Sequence, residues 1–460
     1  MTATLQAAAP SFWLEQLGER PVRPALAGSQ EADVCIVGAG FTGLWTAYEL
    51  CRADPELRVV VLEARYAGFG ASGRNGGWVY GTLSGSPAAW RRRAGPRAAG
   101  EMARAIQATL GEIAVVVRRE QIACDWHQGG ALAAAQTEPR LERLRSQAAA
   151  EREALGDAAA STLLDAAELE ARVAVAGGLG ALYNPHCARV QPAKLLEGLA
   201  GAAERCGATI HESSPVTEIA PGRLSTPGGE LRAPKIVIAT EGYTANLPGR
   251  HRRLLPLNSS MVVTEPLAAE VWAELRWQNA ETLHEAANLY TYSQRTADGR
   301  IAIGGRGVPY LFGSRTEREG PVPERTVREL RERLAGLFPA LREVGITRAW
   351  HGVLGVARDW CPMVSFDART GIGFAGGYAG EGVAAANLAA RTLRDLLLGH
   401  DTELVRLPWV GPGARSWEPE PLRFLGARGV YALYGLADQR EAATGHRSRF
   451  AALANWVARR

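Results

Sequence analysis

Lysine is almost missing from this chain. Of its 52 basic residues only Lys194 and Lys235 are lysines, so chemistry that needs an aliphatic amine has few candidates. Paired cysteine motifs are missing too. Cys35, Cys51, Cys124, Cys187, Cys206 and Cys361 are scattered with no C-x-x-C spacing, which argues against a zinc ribbon, a redox dithiol or a disulfide framework. No apolar run approaches the length of a membrane span. The opening Met1-Thr-Ala-Thr-Leu-Gln6 lacks the basic residues and apolar core of a secretory leader, so free thiols and a cytoplasmic location are expected. Charge is balanced as well: the net value is +4 and the longest basic run is Arg91-Arg92-Arg93. A nucleic-acid partner is therefore not expected, nor is a metal site.

What the chain does have is glycine at informative places. Val34-Cys-Ile-Val37 is an apolar, β-branched run that reads as a buried parallel strand. Gly38, Gly40 and Gly43 follow it in G-x-G-x-x-G spacing, with Phe41 and Thr42 between them, and a helical pattern runs on to Cys51. A second apolar run, Val59–Leu62, ends on Glu63. Strand, glycine turn, helix and acid form a dinucleotide-binding fingerprint in its required context. Gly38 permits the turn, Gly40 lets the backbone approach a pyrophosphate, and Gly43 lets helix and strand pack closely. The helix N-terminus offers N–H groups to phosphate, and Glu63 accepts hydrogen bonds from a ribose.

Along the 460 residues, two or three domains are expected. Residues 1–30 read as a lead-in whose Phe12 and Trp13 dock on the body. Residues 86–174 are rich in Ala, Glu and Arg at helical spacing and read as a helical insert. Short strands follow over 207–242, and 250–340 reads as a mixed sheet. A second strand–glycine loop–helix unit occupies 373–398, and a tail over 401–460 ends in helix, docked on the body by its apolar face. Two features favour FAD over a nicotinamide: the glycine cluster at 70–77, and the late loop Gly376–Gly382, which aims a helix N-terminus at an electron-rich ring. Gly178-Leu-Gly180 and Gly305-Arg-Gly307 lack a third glycine and read as turns, so no second nucleotide site is expected and the substrate itself must supply the electrons.

The most specific segments are Gly68-Phe-Gly-Ala-Ser-Gly-Arg-Asn-Gly-Gly77, Val237-Ile-Ala-Thr-Glu-Gly-Tyr243, Asp298-Gly-Arg-Ile-Ala-Ile-Gly-Gly-Arg306, Trp350-His-Gly352 with Asp359, Phe374-Ala-Gly-Gly-Tyr-Ala-Gly-Glu-Gly-Val383 and Glu420-Pro-Leu-Arg-Phe-Leu-Gly426. Through them the chain resembles the D-amino-acid oxidase/glycine oxidase superfamily of FAD-dependent enzymes, in the branch that includes γ-glutamylputrescine oxidoreductase. The resemblance implies a discontinuous Rossmann-like FAD-binding domain over 31–85, 175–249 and 345–400. It also implies a mixed or antiparallel substrate-binding sheet domain over 86–174 and 250–344, with the helical tail beyond, an α/β and α+β fold. The implied reaction is hydride transfer from an amine-bearing carbon to flavin N5, with hydrolysis of the resulting imine. The substrate implied is a primary or secondary amine, an amino acid or a polyamine derivative.

Carried over residue by residue, the resemblance implies cofactor contacts from the fingerprint residues together with Ala64, Arg65, Ala71, Ser72, Arg74, Asn75, Gly76, Gly77 and Trp78. It adds Val216, Thr240, Gly242, Gly352, Gly377, Tyr378, Gly380, Glu381, Gly382 and Val383. His351, Tyr292, Trp350 and Arg306 are the candidates for contact with substrate. Gly352 stands where some relatives carry a flavin-linking cysteine, so FAD is expected to be non-covalent. Ala302 stands where several oxidases carry a lysine that speeds reaction with oxygen, so the acceptor is O2 or another oxidant. Oxidation of a hydroxy acid or alcohol, or a non-catalytic flavoprotein, remains open, as does the oligomeric state.

Overall fold

The computed structural model describes residues 11–305, 310–316 and 321–458. Its centre is a six-stranded sheet in the order 363–367, 372–376, 235–238, 34–37, 59–62, 209–211, parallel except for the edge strand Met363–Asp367. The alternation of strand side chains decides what covers each face. Val34, Ile36, Val59 and Val61 face a core shared with the helices Phe41–Ala53, Pro192–Arg205 and Gly382–Leu398. Cys35, Val37, Val60 and Leu62 face the other way, against Leu224 and Leu231 of a small four-stranded sheet. With both faces covered, every residue of Val34–Val37 and Val59–Leu62 is buried, which is why these strands read as continuous apolar runs.

A second, eight-stranded sheet runs in the order 346–356, 255–264, 301–305, 291–295, 282–285, 131–135, 180–184, 162–164. It is antiparallel apart from the pair Thr282–Glu285 and Ala131–Ala135. The insert over 86–174 carries the expected helices Pro87–Arg119, Glu138–Leu155 and Ala166–Arg172, but it also contributes strands Ala131–Ala135 and Thr162–Leu164 to this sheet. Alanine favours helix intrinsically. Here burial overrides that preference, because Ala133 and Ala135 fit beneath Leu141, Leu144 and Ala148 of the helix 138–155. The sequence grouped 180–184 and 346–356 with the cofactor-binding segments, yet both strands pair within the eight-stranded sheet. Ile346–Val356 runs beside Leu255–Thr264 along its whole length and reaches the junction of the two sheets.

The lead-in is tied down by a buried arginine. Arg23, 6% exposed, meets Glu197 at 2.6 Å, Glu204 at 2.7 Å and Glu212 at 3.3 Å. Those bonds join residue 23 to the helix 192–205 and to the end of the strand 209–211. Replacing Arg23 with Ala removes the guanidinium that joins Glu197, Glu204 and Glu212, leaving the buried Glu212 with Arg20 alone at 3.3 Å, and is expected to cost about 3 kcal/mol. The denaturant midpoint of Arg23→Ala measures this, and an unchanged midpoint would contradict a structural role for the cluster.

Candidate active site

The turn after the first strand sets the cavity. Gly38 holds φ of +105°, and a side chain on Gly43 would lie 1.9 Å from the Gly38 carbonyl oxygen. The helix 41–53 therefore starts pressed against the turn; Gly40 has no side chain to cap it, and of its first N–H groups that of Phe41 is taken by Ser72 Oγ at 2.9 Å. Its N-terminus opens on a cavity of about 660 Å³, within the range of small-molecule sites. The helix 382–398 also begins without a side-chain cap, and its first residues line the same cavity. Two positive helix ends thus converge on one space. Arg65 and Arg315 bring the guanidinium groups of the lining. The Glu63 carboxylate accepts N–H bonds from Ala39 at 2.9 Å and Arg65 at 3.0 Å.

Of the cofactor residues expected from the sequence, Gly38, Gly40, Phe41, Thr42, Glu63, Ala64, Arg65, Ala71, Ser72 and Asn75 line this cavity. So do Val216, Thr240, Tyr378, Gly380, Gly382 and Val383. Others stand behind the wall. Gly43 and Gly242 pack on backbone, and the Gly77 N–H donates to Asn75 at 2.7 Å. Gly76 accepts from Gln294 at 2.7 Å, and Gly352 lies under the Arg74 side chain. Arg74 and Trp78 each keep a buried side-chain nitrogen with no hydrogen-bond partner, Nε and Nε1. Cavity size, helix ends and arginines fit a phosphate-bearing flavin dinucleotide.

The loop 70–77 is clamped from behind through three successive carbonyls. Ser11 Oγ donates to Gly73 at 2.6 Å, Trp350 Nε1 to Arg74 at 2.9 Å and Trp13 Nε1 to Asn75 at 2.8 Å. Phe12, Trp13 and Trp350 pack as one aromatic cluster with centroids 5.1 to 6.3 Å apart. Trp350, expected from the sequence to meet substrate, is instead buried here and lines neither cavity. Its size and its single donor serve the loop. His351 likewise lines neither cavity; its carbonyl accepts from Arg74 Nη1 at 3.2 Å. Arg306 lies outside the described residues.

A second cavity of about 910 Å³ opens beside the first. Tyr80, Thr82, His284, Tyr290 and Trp360 line part of it, with Glu381, whose carboxylate accepts from Thr82 Oγ1 at 3.2 Å. Glu381 thus lies against this cavity, while the backbone of its neighbours Gly380 and Gly382 serves the other. Trp78, expected to contact the cofactor, and Tyr292, expected to contact substrate, line neither cavity but join the same aromatic group: Trp78 lies 6.1 Å from Tyr80, 6.0 Å from His284 and 6.2 Å from Tyr292. Tyr292 also shares a 2.9 Å hydrogen bond with Ser259. Burial pushes the pKa of His284 down to about 4, so its ring is neutral at ordinary pH. The far wall comes from the tail, through Tyr434, Glu441 and Asn455.

Between the two sheets sits a residue that the sequence reading passed over, although it named both neighbours. Glu241 accepts N–H bonds from Gly377 at 2.8 Å, Tyr378 at 3.1 Å and Gly355 at 3.2 Å. It holds a left-handed φ of 43°, an unfavourable backbone for a residue with a side chain, maintained by those bonds. Burial pushes its pKa up to about 7, against the pull of the three donors. The signal available in the sequence was an acid three residues beyond the end of the apolar strand 235–238. His284, Tyr80 and Tyr290 had no comparable local signal.

A carboxyl whose folded pKa lies above its unfolded value weakens the fold as it ionises. Below pH 4.5 both states are protonated and Glu241 contributes nothing; between 4.5 and about 7 the unfolded chain ionises first, and up to about 3 kcal/mol of stability is lost as pH rises. Glu241→Gln is expected to flatten that slope in unfolding curves taken across the window. A slope equal to that of the wild type would assign the titration elsewhere.

Residues 33–396 match the family described as FAD dependent oxidoreductase (DAO). The chain is 32% identical over 421 residues to the gamma-glutamylputrescine oxidoreductase of Escherichia coli, covering 88% of this chain and 93% of that protein. It is 29% identical over 403 residues to a probable oxidoreductase, OrdL, of Haemophilus influenzae, covering 86% and 89%. In fold it is similar to the glycine oxidase of Geobacillus kaustophilus, with a TM-score of 0.68 at 22% identity over 81% of this chain and 96% of that one. The chain belongs to the DAO family of FAD-dependent oxidoreductases.

Proposed function

We propose that this oxidoreductase oxidises a C–N bond of a primary or secondary amine, an amino acid or a polyamine derivative, with the substrate held in the 910 Å³ cavity. The observation that carries the reading is the group Tyr80, His284, Tyr290 and Glu381 on one wall. Aromatic faces attract a cationic or partly charged amine, and the Glu381 carboxylate supplies the matching negative charge. His284, kept neutral by burial, offers a ring nitrogen without a positive charge that would repel an amine. FAD, when bound, accepts the hydride. The residues of the 660 Å³ cavity would hold FAD, and the helix N-terminus after Gly40 would favour a phosphate there.

Binding is non-covalent, because Gly352 offers no thiol where a cysteine link is made in some relatives. Neither lysine lines either cavity: Lys194 pairs with Asp125 at 2.9 Å, and Lys235 opens a strand of the six-stranded sheet. Ala302 is buried within the eight-stranded sheet. The electron acceptor is O2, reached without a lysine, or another oxidant. All six cysteines are free, which supports a reducing, cytoplasmic setting.

Anaerobic mixing with a panel of amines and amino acids is expected to bleach the flavin, and admission of air then reports how fast oxygen restores it. Bleaching by hydroxy acids or alcohols alone would replace this reading with alcohol oxidation, and bleaching by no donor would leave a non-catalytic flavoprotein. Acid precipitation of the same sample should release free FAD. For the site itself, Glu381→Gln is expected to raise KM for a cationic amine about tenfold, since a charged hydrogen bond of roughly 1.5 kcal/mol is lost. An unchanged KM would remove Glu381 from substrate binding.

A further inference from the structure

The sequence expected the tail to dock on the body by its apolar face. The structure shows that docking, and also a second apolar face left outside. Helix 422–444 packs inward through Val430, Tyr434, Ala437 and Glu441, and helix 449–458 through Ala454 and Ala458. Tyr434 donates to Asn455 at 2.7 Å between them. On the opposite side of the first helix, Leu422, Leu425 and Leu436 are exposed; on the second, so are Phe450, Leu453, Trp456 and Val457, with Trp456 at 78%. Seven of the eleven exposed large hydrophobic side chains of the described residues therefore lie on this one helical pair. Scattered exposed apolar residues are ordinary, but a clustered set marks a contact surface.

The charges around that face have one sign. Arg428 and Arg440 flank it, both exposed, and neither pairs with a carboxylate among the described residues; Arg447 and Arg449 line the 910 Å³ cavity instead, with Arg447 donating to Ser146 Oγ at 3.3 Å. The two acids of the helical pair are turned inward instead: Asp438 accepts from the backbone N–H groups of Asn288 and Leu289, and Glu441 binds Arg143 at 2.7 Å. The Arg428 guanidinium lies 5.2 Å from the Phe424 ring, so its stem follows apolar surface while its charge stays outside.

We propose that the outward face of this helical pair docks on an anionic lipid surface. An apolar face rimmed by arginine, with an exposed tryptophan, suits the boundary between headgroups and acyl chains. No helix of the described residues is long and apolar enough to cross a membrane, so the contact lies in the plane of the surface. A second copy of the chain fits less well. A two-fold interface pairs the same patch with itself, which would bring Arg428 and Arg440 of both copies, four uncompensated guanidinium groups, together.

The test uses the full-length, FAD-loaded protein and phosphatidylcholine vesicles with and without phosphatidylglycerol. Sedimentation with the anionic vesicles is expected to be at least about tenfold stronger than with the neutral ones, to weaken in high salt, and to blue-shift tryptophan emission. The combined variant Leu425→Gln, Leu453→Gln and Trp456→Gln should lose binding while keeping its flavin spectrum. Arg428→Gln with Arg440→Gln should lose the preference for anionic lipid. Failure of the flavin-bearing wild type to bind anionic vesicles would overturn the proposal. Equal binding by the apolar variant, or a concentration-dependent dimer that the same substitutions abolish, would overturn it as well. These readouts do not depend on which substrate the enzyme oxidises.

Discussion

The two sheets meet through one carboxylate. Glu241 follows the strand 235–238 of the cofactor sheet and takes its hydrogen bonds from both sides of the junction. Two N–H groups come from the loop after the strand 372–376, and one from Gly355 in the long strand of the other sheet. No other residue type fits this position as well. An amide has one acceptor oxygen and would turn donors toward donors, while a shorter acid would not span the gap. The 660 Å³ cavity is bounded by segments from both sheets, including Val353 and Leu354 on one side and Thr240 on the other. Its width therefore depends on the same bonds that hold the sheets in register. Desolvation of the acid opposes that role: the three N–H donors favour the charged form, while burial disfavours it.

A second long-range constraint acts on the glycine loop. A loop of Gly70-Ala-Ser-Gly composition has little stiffness of its own, yet it must present Ser72 and Asn75 in fixed positions. Rigidity comes from outside. Ser11, Trp13 and Trp350 each hold one of three consecutive carbonyls, while the Ser72 hydroxyl accepts the Phe41 N–H at 2.9 Å. Tyr378 closes the circle, with its hydroxyl 3.1 Å from Thr42 Oγ1. The loop is thus bound to the lead-in, to the eight-stranded sheet and to the start of the helix 41–53. Such a support is strong because the three carbonyls are held by buried side chains, Ser11, Trp13 and Trp350.

These features differ in how far the sequence could disclose them. The strands 34–37, 59–62 and 235–238 and the helices behind Gly40 and Gly382 were legible because apolar runs and glycine spacing are local properties. The motif residues carried the cofactor cavity for the same reason. Ala131–Ala135 was not legible as a strand, since its composition favours helix and only the helix 138–155 above it makes small side chains necessary. Trp350 was expected to meet substrate, because a tryptophan in a motif does not reveal whether its face or its N–H is in use; here its Nε1 holds the Arg74 carbonyl. Glu241 depends on partners more than a hundred residues away, and an acid just past an apolar strand is a weak local sign of that; His284 meets Trp78 from far along the chain, with no local sign at all.

The second cavity is assembled on a different principle from the first. Its walls come from residues 80–90, the helices 87–119 and 138–155, the segment 284–290 and the tail. Only the tail lies beyond the 33–396 that match the family. The tail is held by polar anchors, Asp438 on the Asn288 and Leu289 N–H groups and Glu441 on Arg143, rather than by a deep apolar core. Its own buried cluster is small, consisting of Val430, Tyr434, Ala454 and Ala458. Contacts of that kind can be exchanged without disturbing the cofactor sheet, whose strands share no residue with them. A family that keeps one flavin cradle while changing substrate can therefore vary this wall at little cost to the fold. The outward face of the same helices is free to change for reasons unconnected with the substrate.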